Sequence, residues 1–176
     1  GHIFPLQPAY ARPSHATYTA ADAREVPYWM GCYGIGVSRI VQAIAEQAYD
    51  DRGLRWPFAL SPFDVIVVPV NAKAHLADAE NVCENLRRAG IRTLLDDREA
   101  RIGEKLTDAE LLGMPVQVLI GRAWEKDRKL EVRWRDPASF DPSVFSAGAA
   151  GSLPTALMDE PSFVSFLSPL LVSLSS

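Results

Sequence analysis

Residues 64–70 read DVIVVPV, a nearly continuous apolar run, and this stretch decides the fold of the chain. A strand buried on both faces has this pattern, because a parallel sheet covered by helices leaves neither face in water. Downstream, apolar positions recur at helical spacing over 74–89, and Gly90 stands where a helix commonly ends. Residues 91–96 predict the next strand, so the segment reads as strand, helix and strand.

The same alternation of elements continues beyond residue 96. A shorter helix is predicted over 103–113 and an apolar strand over 116–120. Residues 129–135 (KLEVRWR) alternate between apolar and charged, which predicts a half-exposed edge strand with Arg135 outside any ligand site. Together these elements predict an α/β fold with a small, mostly parallel sheet flanked by helices. Ligands on such sheets bind beyond the carboxyl ends of the strands, which here indicates the loop 97–102.

Upstream of the predicted sheet, residues 31–40 (GCYGIGVSRI) predict a glycine-punctuated turn that leads into an amphipathic helix near Val37. Short strands are predicted at 2–4 and at 26–30, the second running directly into that turn. Two short strands and one helix bury too little surface to form a core of their own. We therefore expect residues 1–60 to be the end of a larger domain.

Composition and charge exclude several classes of protein. Of the 176 residues, 48% are hydrophobic and 23% charged, which is typical of a soluble globular protein, and no apolar run reaches membrane-spanning length. Cys32 and Cys83 lie far apart and the histidines lack ligand spacing, so we expect no metal site and a reducing compartment. The formal net charge is −4, yet residues 87–135 carry twelve Lys and Arg against nine Asp and Glu. That locally basic window suits a polyanionic partner.

Four stretches of the sequence carry a resemblance to a known family. They are GHIF (1–4), MGCYGIGVSRI (30–40), WPFALSPF (56–63) and DDREARIGEKLTDAELLGMP (96–115). In order and spacing they resemble the C-terminal portion of bacterial-type prolyl-tRNA synthetase, a class IIa aminoacyl-tRNA synthetase. Several motifs in the right order are far more specific than any one of them.

The resemblance implies three segments. Residues 1–60 would be the end of the class II catalytic domain, with motif 3 at its helix. Residues 61–136 would be the anticodon-binding domain, and 137–176 an irregular tail with a closing helix over 161–172. The proline-rich stretch 56–62 would mark the boundary between the first two segments.

The resemblance also implies a function. The parent would be an ATP-dependent proline–tRNA ligase that activates proline and transfers it to proline tRNA. It would use ATP with Mg²⁺ as a substrate, bind no cofactor tightly and act as a homodimer in the cytoplasm or an organellar matrix, away from membranes. Class II motifs 1 and 2 have no counterpart in the chain, so we expect this portion to be inactive alone.

The resemblance assigns two sets of residues to the catalytic chemistry. Arg39 corresponds to the motif 3 arginine, a catalytic residue that contacts the terminal phosphate of ATP, while Gly34 and Gly36 leave room for the nucleotide. His2 and Cys32 correspond to residues that line the proline pocket. Without the resemblance, His2 reads as a strand histidine and Cys32 as a small packed thiol.

In the second segment, the resemblance assigns anticodon recognition to Asp97, Arg98, Lys105, Asp108 and Glu110. Proline anticodons share two guanines. Carboxylates accept hydrogen bonds from the guanine N1 and N2 donors, and Lys or Arg donates to O6, N7 or phosphate. Lys105 and Asp108 lie three residues apart on one predicted helix, so a plain surface salt bridge between them is the alternative.

Two other interpretations remain open at this point. One is another class IIa synthetase, specific for threonine, histidine or glycine. The other is a non-catalytic tRNA- or DNA-binding relative of the anticodon-binding domain. Cys32 and the upstream GHIF favour proline, and Arg39 counts against a non-catalytic relative, which has no need of an ATP-binding arginine.

Overall fold

The chain forms two compact units, Gly1–Ala43 and Ile44–Ser176. The computed structural model describes residues 1–135 and 153–172. The segment that follows Ala43 belongs to the second unit, and the predicted segment boundary near residue 60 stays a prediction. Within the described ranges, no helix is both long enough and apolar enough to cross a membrane.

The first unit is built from short antiparallel pairings. Its elements are β1 (His2–Gln7), β2 (Thr17–Thr19), β3 (Glu25–Pro27), β4 (Met30–Gly34) and α1 (Val37–Ala45), whose last residues extend past Ala43. Strand β1 pairs with β4, and β2 with β3. Ala11 is the one hydrophobic residue of this unit that is fully buried. Most of the unit's large apolar side chains are therefore exposed.

The glycine-rich segment before α1 is mostly strand rather than turn. Gly31 and Gly34 lie in β4, and Gly31 pairs with Pro5 of β1. The prediction of one strand over 26–30 followed by a turn is therefore wrong, because β3 already ends at Pro27, which has no N–H to donate to a ladder. Only Ile35 and Gly36 separate β4 from α1, which begins at Val37 as predicted.

The second unit contains the sheet and its helices. In chain order its elements are β5 (Tyr49–Asp50), β6 (Gly53–Leu54), a 3-10 turn (Phe58–Leu60), β7 (Val65–Pro69), α2 (Ala72–Arg88), β8 (Thr93–Leu95), α3 (Ile102–Leu111), β9 (Val116–Ile120), α4 (Arg122–Asp127), β10 (Leu130–Trp134), β11 (Thr155–Met158) and α5 (Glu160–Val172). β5 and β6 form a small hairpin, and β7 to β11 form one sheet.

The five-stranded sheet has the order β11-β10-β9-β7-β8. β7 pairs in parallel with both β8 and β9, whereas β10 is antiparallel to β9 and to β11. The predicted α/β sheet flanked by helices is confirmed. In detail the sheet is mixed rather than mostly parallel, because β11 adds a second antiparallel pairing.

Strand β10 is not the edge strand that its alternation predicts. Leu130, Val132 and Trp134 are buried and Glu131 and Arg133 are partly exposed, in keeping with the alternation. However, β11 pairs along the outer side of β10. β11 lies inside the stretch predicted to be irregular, of which residues 136–152 are outside the described residues. The predicted closing helix is confirmed as α5, and Pro169 lies within it rather than ending it.

Helices cover both faces of the sheet. On one face, β7 and β9 pack against α2 and α5 through Val65, Val67, Val118, Ala79, Leu86, Phe163 and Leu167. On the other face, Ile66 and Val68 pack against Ala109 and Met114, on α3 and just after it. Every residue of β7 is buried, which explains why its sequence is one apolar run. Beyond the carboxyl end of β8 the chain continues into three polar residues, Asp96, Asp97 and Arg98.

Candidate functional site

A cavity of about 420 Å³ opens where β8 ends and α3 passes over the sheet. We call it the strand-end cavity. Its lining residues are Ile66, Leu94, Leu95, Asp96, Asp97, Arg98, Asp108, Ala109, Leu111 and Leu112. Apolar side chains thus make most of the wall, and three carboxylates and one guanidinium make the polar part. A planar apolar face edged with hydrogen-bonding groups is a ligand shape that suits such a wall.

The strand-end cavity brings together three of the five residues assigned to anticodon recognition. Asp97 and Arg98 come from the loop after β8, and Asp108 comes from α3. This is the position that the sequence analysis predicted, beyond the carboxyl end of a parallel strand. The roles assigned to these residues stay predictions.

Arg98 is held from two sides by carboxylates. Its Nε donates to Asp96 Oδ1 at 2.9 Å and its Nη2 to Asp96 Oδ2 at 2.7 Å, while Nη1 donates to Asp108 Oδ2 at 2.8 Å. These hydrogen bonds, with Asp96 first and Asp108 second, raise the pKa of Arg98. The side chain nevertheless keeps 49% of its surface exposed, so it is oriented without being covered.

Asp96 lies behind Arg98 and is almost fully buried. Its backbone N–H donates to the carbonyl of Val67 at 3.0 Å, which ties it to β7. Burial alone would raise the pKa of Asp96, but hydrogen bonds from Arg98 and the charge of Lys105 hold that pKa below its usual range. Asp96 was missing from the predicted site; the signal for it was its position as the residue that follows β8, next to Asp97.

Lys105 faces the protein interior. Its side chain is 1% exposed, and its Nζ donates to the carbonyl of Asp96 at 3.0 Å and lies 3.9 Å from Asp96 Oδ1. Lys105 and Asp108 therefore do not form the alternative surface salt bridge; Asp108 pairs with Arg98 instead. The structure places Lys105 under the site rather than at its opening.

Glu110 lies away from the strand-end cavity, on the side of α3 that meets the β5–β6 hairpin. Its Oε2 accepts from Arg52 Nη1 at 3.2 Å. Gly53 of the hairpin packs closely against the same helix. Its φ is +132°, and a Cβ added to it would lie only 2.4 Å from the Cα of Leu111. Trp56 Nε1 donates to the carbonyl of Leu112 at 3.1 Å. The hairpin and the tryptophan after it thus brace the end of α3.

Arg135 is a buried structural residue and not an exposed one. The expectation that it lies on a half-exposed edge is wrong, since its side chain is 3% exposed and its Nη1 donates to Asp50 Oδ2 at 2.8 Å. The hydrogen bond from Arg135 lowers the pKa of Asp50 to about 2. Alternation within β10 could not reveal this pairing, because the partner lies on the distant hairpin.

Helix α3 ends slightly earlier than the predicted helix over 103–113. Its last residue is Leu111, and Leu112, which follows it, is 53% exposed. Leu111 and Leu112 form part of the strand-end cavity wall. Gly113, with φ +72°, then reverses the chain below them.

A second cavity, of about 350 Å³, lies on the other side of Asp97. Its lining residues are Ala72, Lys73, Leu76, Ala77, Glu80, Asp97 and Glu99. Lys73 Nζ lies 3.8 Å from Glu99 Oε2, and both side chains are exposed. Asp97 therefore stands between two neighbouring concave surfaces.

In the first unit, strand register groups the residues assigned to proline and ATP. His2 pairs with Gly34 and Phe4 with Cys32 across the β1–β4 ladder, so all four lie on one face of this ribbon. The rings of His2 and Phe4 stack at 5.7 Å. A Cβ on Gly34 would meet nothing within 4 Å.

Arg39 lies in the first turn of α1, two residues after Val37, and is exposed. Gly36 stands just before that helix, where a Cβ would approach the Cβ of Arg39 to 3.4 Å. His2, Cys32 and Gly36 are likewise exposed. Among the described residues, no group of three or more His, Cys, Asp or Glu side chains is placed to hold a metal ion.

Comparisons with known proteins agree with this architecture. Residues 64–140 match the family described as the anticodon binding domain. A solved RNA-binding domain of threonyl-tRNA synthetase from Cryptosporidium parvum superimposes on 65% of the chain and 25% of its own, with 25% identity and a TM-score of 0.53. The second unit thus contains an anticodon-binding domain of the type found in class II aminoacyl-tRNA synthetases.

More similar relatives narrow the family. The proline–tRNA ligase of Synechococcus elongatus is 46% identical over 151 residues, covering 85% of this chain and 25% of that protein. The enzyme of Limosilactobacillus fermentum is 49% identical over 124 residues, covering 69% and 22%. The fold of prolyl-tRNA synthetase from C. parvum matches 98% of this chain and 33% of its own, with 18% identity and a TM-score of 0.68.

The chain belongs to the prolyl-tRNA synthetase family and spans about a quarter of the length of the curated relatives it matches. The resemblance drawn from the four motifs is confirmed. The alternatives, another class IIa synthetase or a non-catalytic relative, are not favoured, because the relatives with high identity over most of the chain are proline–tRNA ligases.

Proposed function

We propose that the second unit reads the anticodon of proline tRNA on behalf of a proline–tRNA ligase. The observation that carries this is the strand-end cavity, where Asp97, Arg98 and Asp108 converge on an apolar wall in a domain of the anticodon-binding family. An unpaired base stacks on apolar surface and is identified by hydrogen bonds along its edge. The cavity offers both.

The charges at the cavity favour a base edge rich in donors. Asp96, Asp97 and Asp108 outnumber the two cations Arg98 and Lys105. A net negative site repels phosphate but accepts hydrogen bonds from N–H groups, and guanine carries neighbouring donors at N1 and N2. On the corresponding edge of adenine, N1 is an acceptor and position 2 carries no amino group, so both donors are missing. Carboxylates here therefore support discrimination in favour of guanine.

For the first unit, we propose that it contributes to the site where proline and ATP meet. His2 and Cys32 share a ribbon face with Gly34, which would let them line the same side of a pocket for a small cyclic amino acid. Arg39, exposed at the start of α1, would donate to ATP phosphate, with Mg²⁺ accompanying the nucleotide, and Gly34 and Gly36 keep the approach open. The C. parvum prolyl-tRNA synthetase was solved with L-proline and AMP, which are ligands of these two kinds.

The anticodon proposal is tested by titrating the 176-residue chain with RNA hairpins whose loops differ only in the anticodon. We expect a hairpin carrying both proline guanines to bind more tightly than hairpins in which either guanine is replaced by adenine, by about tenfold for each lost bidentate contact. Binding to all hairpins should weaken as salt rises, since phosphates contribute to every complex.

The same titration has a matched control. Arg92 is a half-exposed arginine paired with a buried aspartate, as Arg98 is, but it lies before β8 rather than after it. Arg98→Ala should reduce discrimination between guanine and adenine, and Arg92→Ala should not. Equal affinity of the unmodified chain for all anticodons would leave only a general affinity for RNA and would overturn the proposal.

A further inference from the structure

Asp96 binds Arg98 more extensively than a simple surface ion pair does. Asp96 accepts from the Nε and Nη2 of Arg98 with both carboxylate oxygens, and its Oδ1 also accepts from the Arg98 backbone N–H at 3.3 Å. Two parallel hydrogen bonds fix the plane of a guanidinium as well as its position. The side-chain torsions of Arg98 are therefore set from its inner edge.

Asp96 is itself fixed from below. Its side chain is nearly buried, its N–H bonds to β7, and its carbonyl accepts from the ammonium of Lys105. Lys105 reaches a second backbone carbonyl, that of Pro69 at the end of β7, at 3.5 Å. The ammonium thus joins the ends of two parallel strands beneath the carboxylate. A rigid support of this kind holds a binding group in place before its ligand arrives.

We propose that Asp96 is a positioning residue for anticodon recognition, which together with the hydrogen bond from Arg98 Nη1 to Asp108 aligns the guanidinium at the strand-end cavity, so that its remaining Nη1 and Nη2 N–H groups meet the base. The inference rests on the proposed function of this cavity. It assigns specificity to a residue that lines the cavity but whose carboxylate oxygens are turned to Arg98 and Lys105. An arginine free to swing would lose affinity to side-chain entropy and could serve more than one base edge.

The chain offers a matched pair for comparison. Asp64 is fully buried just before β7 and accepts from the Nε and Nη2 of Arg92, whose side chain is 45% exposed. The pairing of two carboxylate oxygens with Nε and Nη2 is the same as that of Asp96 with Arg98, but Asp64 and Arg92 precede β7 and β8 and line neither cavity described above. Any general cost of removing a buried carboxylate from this sheet appears at Asp64 too.

The test is a double-mutant cycle on the full 176-residue chain, read as the ratio of affinities for the two-guanine hairpin and a hairpin with one adenine. We expect Asp96→Asn to lower this ratio about tenfold when Arg98 is present. In the Arg98→Ala background, Asp96→Asn should change this affinity ratio by no more than about twofold. That is the scatter within which the effects of independent substitutions add. Asp64→Asn should leave the ratio unchanged in both backgrounds.

The cycle separates positioning from structural support. Asp96→Asn also removes the carboxylate beside buried Lys105, and because Lys105 is unchanged in both backgrounds, that loss accompanies the substitution in each. An equal fall of the ratio in both backgrounds, or no fall in either, overturns the positioning role. If the unmodified chain does not distinguish the hairpins at all, the proposed function fails first and is seen to fail before any variant is made.

A second variant avoids disturbing Asp96. Arg98→Lys keeps the charge but cannot fill both carboxylate oxygens with parallel donors. We expect it to lose discrimination as fully as Arg98→Ala does. Full discrimination with Arg98→Lys would show that an aligned guanidinium is not needed and would also overturn the inference.

Discussion

At the scale of single residues, the ion pair between Asp50 and Arg135 joins positions 85 residues apart in sequence. Arg135 is buried, and its charge has Asp50 as its counterion. Removing one partner of a buried pair is costly because the other charge stays behind in a poorly solvated place. Here Asp50 is about one-third exposed, which reduces that cost.

This pair gives the fold a stability that depends on pH. Arg135 lowers the pKa of Asp50 from 3.8 to about 2 in the folded state. A carboxylate with a lowered folded-state pKa stabilises the fold above its unfolded pKa, and this contribution is lost as the pH falls through the folded value. We expect Asp50→Asn to lower the free energy of unfolding by about 2 kcal/mol at neutral pH, with the deficit shrinking between about pH 4 and pH 2.

Urea unfolding at several pH values measures that difference. Asp22→Asn is the control, because Asp22 makes an exposed ion pair with Arg24 and should contribute little. A deficit for Asp50→Asn that stays constant down to pH 2 would contradict the pairing seen here.

At the scale of elements, the β5–β6 hairpin and α3 meet at a point where only glycine fits. We expect Gly53→Ala to destabilise the chain by about 3 kcal/mol, because φ is +132° and the new Cβ would lie 2.4 Å from the Leu111 Cα and 2.8 Å from the Glu110 carbonyl oxygen. Both neighbours are backbone atoms, so α3 or the hairpin would have to move.

Gly103 of α3 is the matched control for Gly53. It lies in the first turn of α3, and a Cβ there meets nothing within 4 Å. Gly103→Ala should therefore leave stability equal or raise it by about 0.5–1 kcal/mol through helix propensity. Equal effects of the two substitutions in urea unfolding would show that the hairpin does not pack on α3 as described.

Elements buried on both faces were predictable from the sequence, and contacts between distant segments were not. The apolar runs of β7 and β9, and Gly90 after α2 with φ +84°, follow from local burial and backbone freedom. β11 was missed because its pairing with β10 is set by a segment far along the chain. Arg135 was misplaced for the same reason, since its counterion lies on the hairpin.

The candidate site divides in the same way. The location of the loop 97–102 was predictable, because ligands on parallel sheets bind beyond the carboxyl ends of the strands. The choice of Asp97, Arg98 and Asp108 came from the family resemblance, and the structure places all three at the strand-end cavity. The burial of Lys105 was not predictable, because lysine side chains are mostly exposed to solvent. Only the structure shows that the ends of two strands lie beneath it. The hydrogen bonds between Asp96 and Arg98 were not predictable either, because the sequence does not show which neighbouring carboxylate the arginine side chain turns to.

At the scale of the whole molecule, the two units differ in how firmly they hold their candidate binding groups. The second unit has a core on both faces of its sheet, and its site residues are tied together by hydrogen bonds. In the first unit, Ala11 is the one fully buried hydrophobic residue, and His2, Cys32 and Arg39 are all exposed. The proposed RNA site is therefore held by a packed core, and the residues assigned to proline and ATP are not.

We expect the 176-residue chain to bind the two-guanine hairpin yet give no proline-dependent exchange of pyrophosphate into ATP above a no-protein control. Adenylate formation requires proline and the α-phosphate to be held in line while phosphate charge is neutralised. A single exposed arginine on α1 and a ribbon without a core do not supply that positioning. A full-length prolyl-tRNA synthetase serves as the positive control, and hairpin binding in the same preparation shows that the second unit is folded. Exchange that depends on proline and on Arg39 would show that the first unit builds a working site by itself.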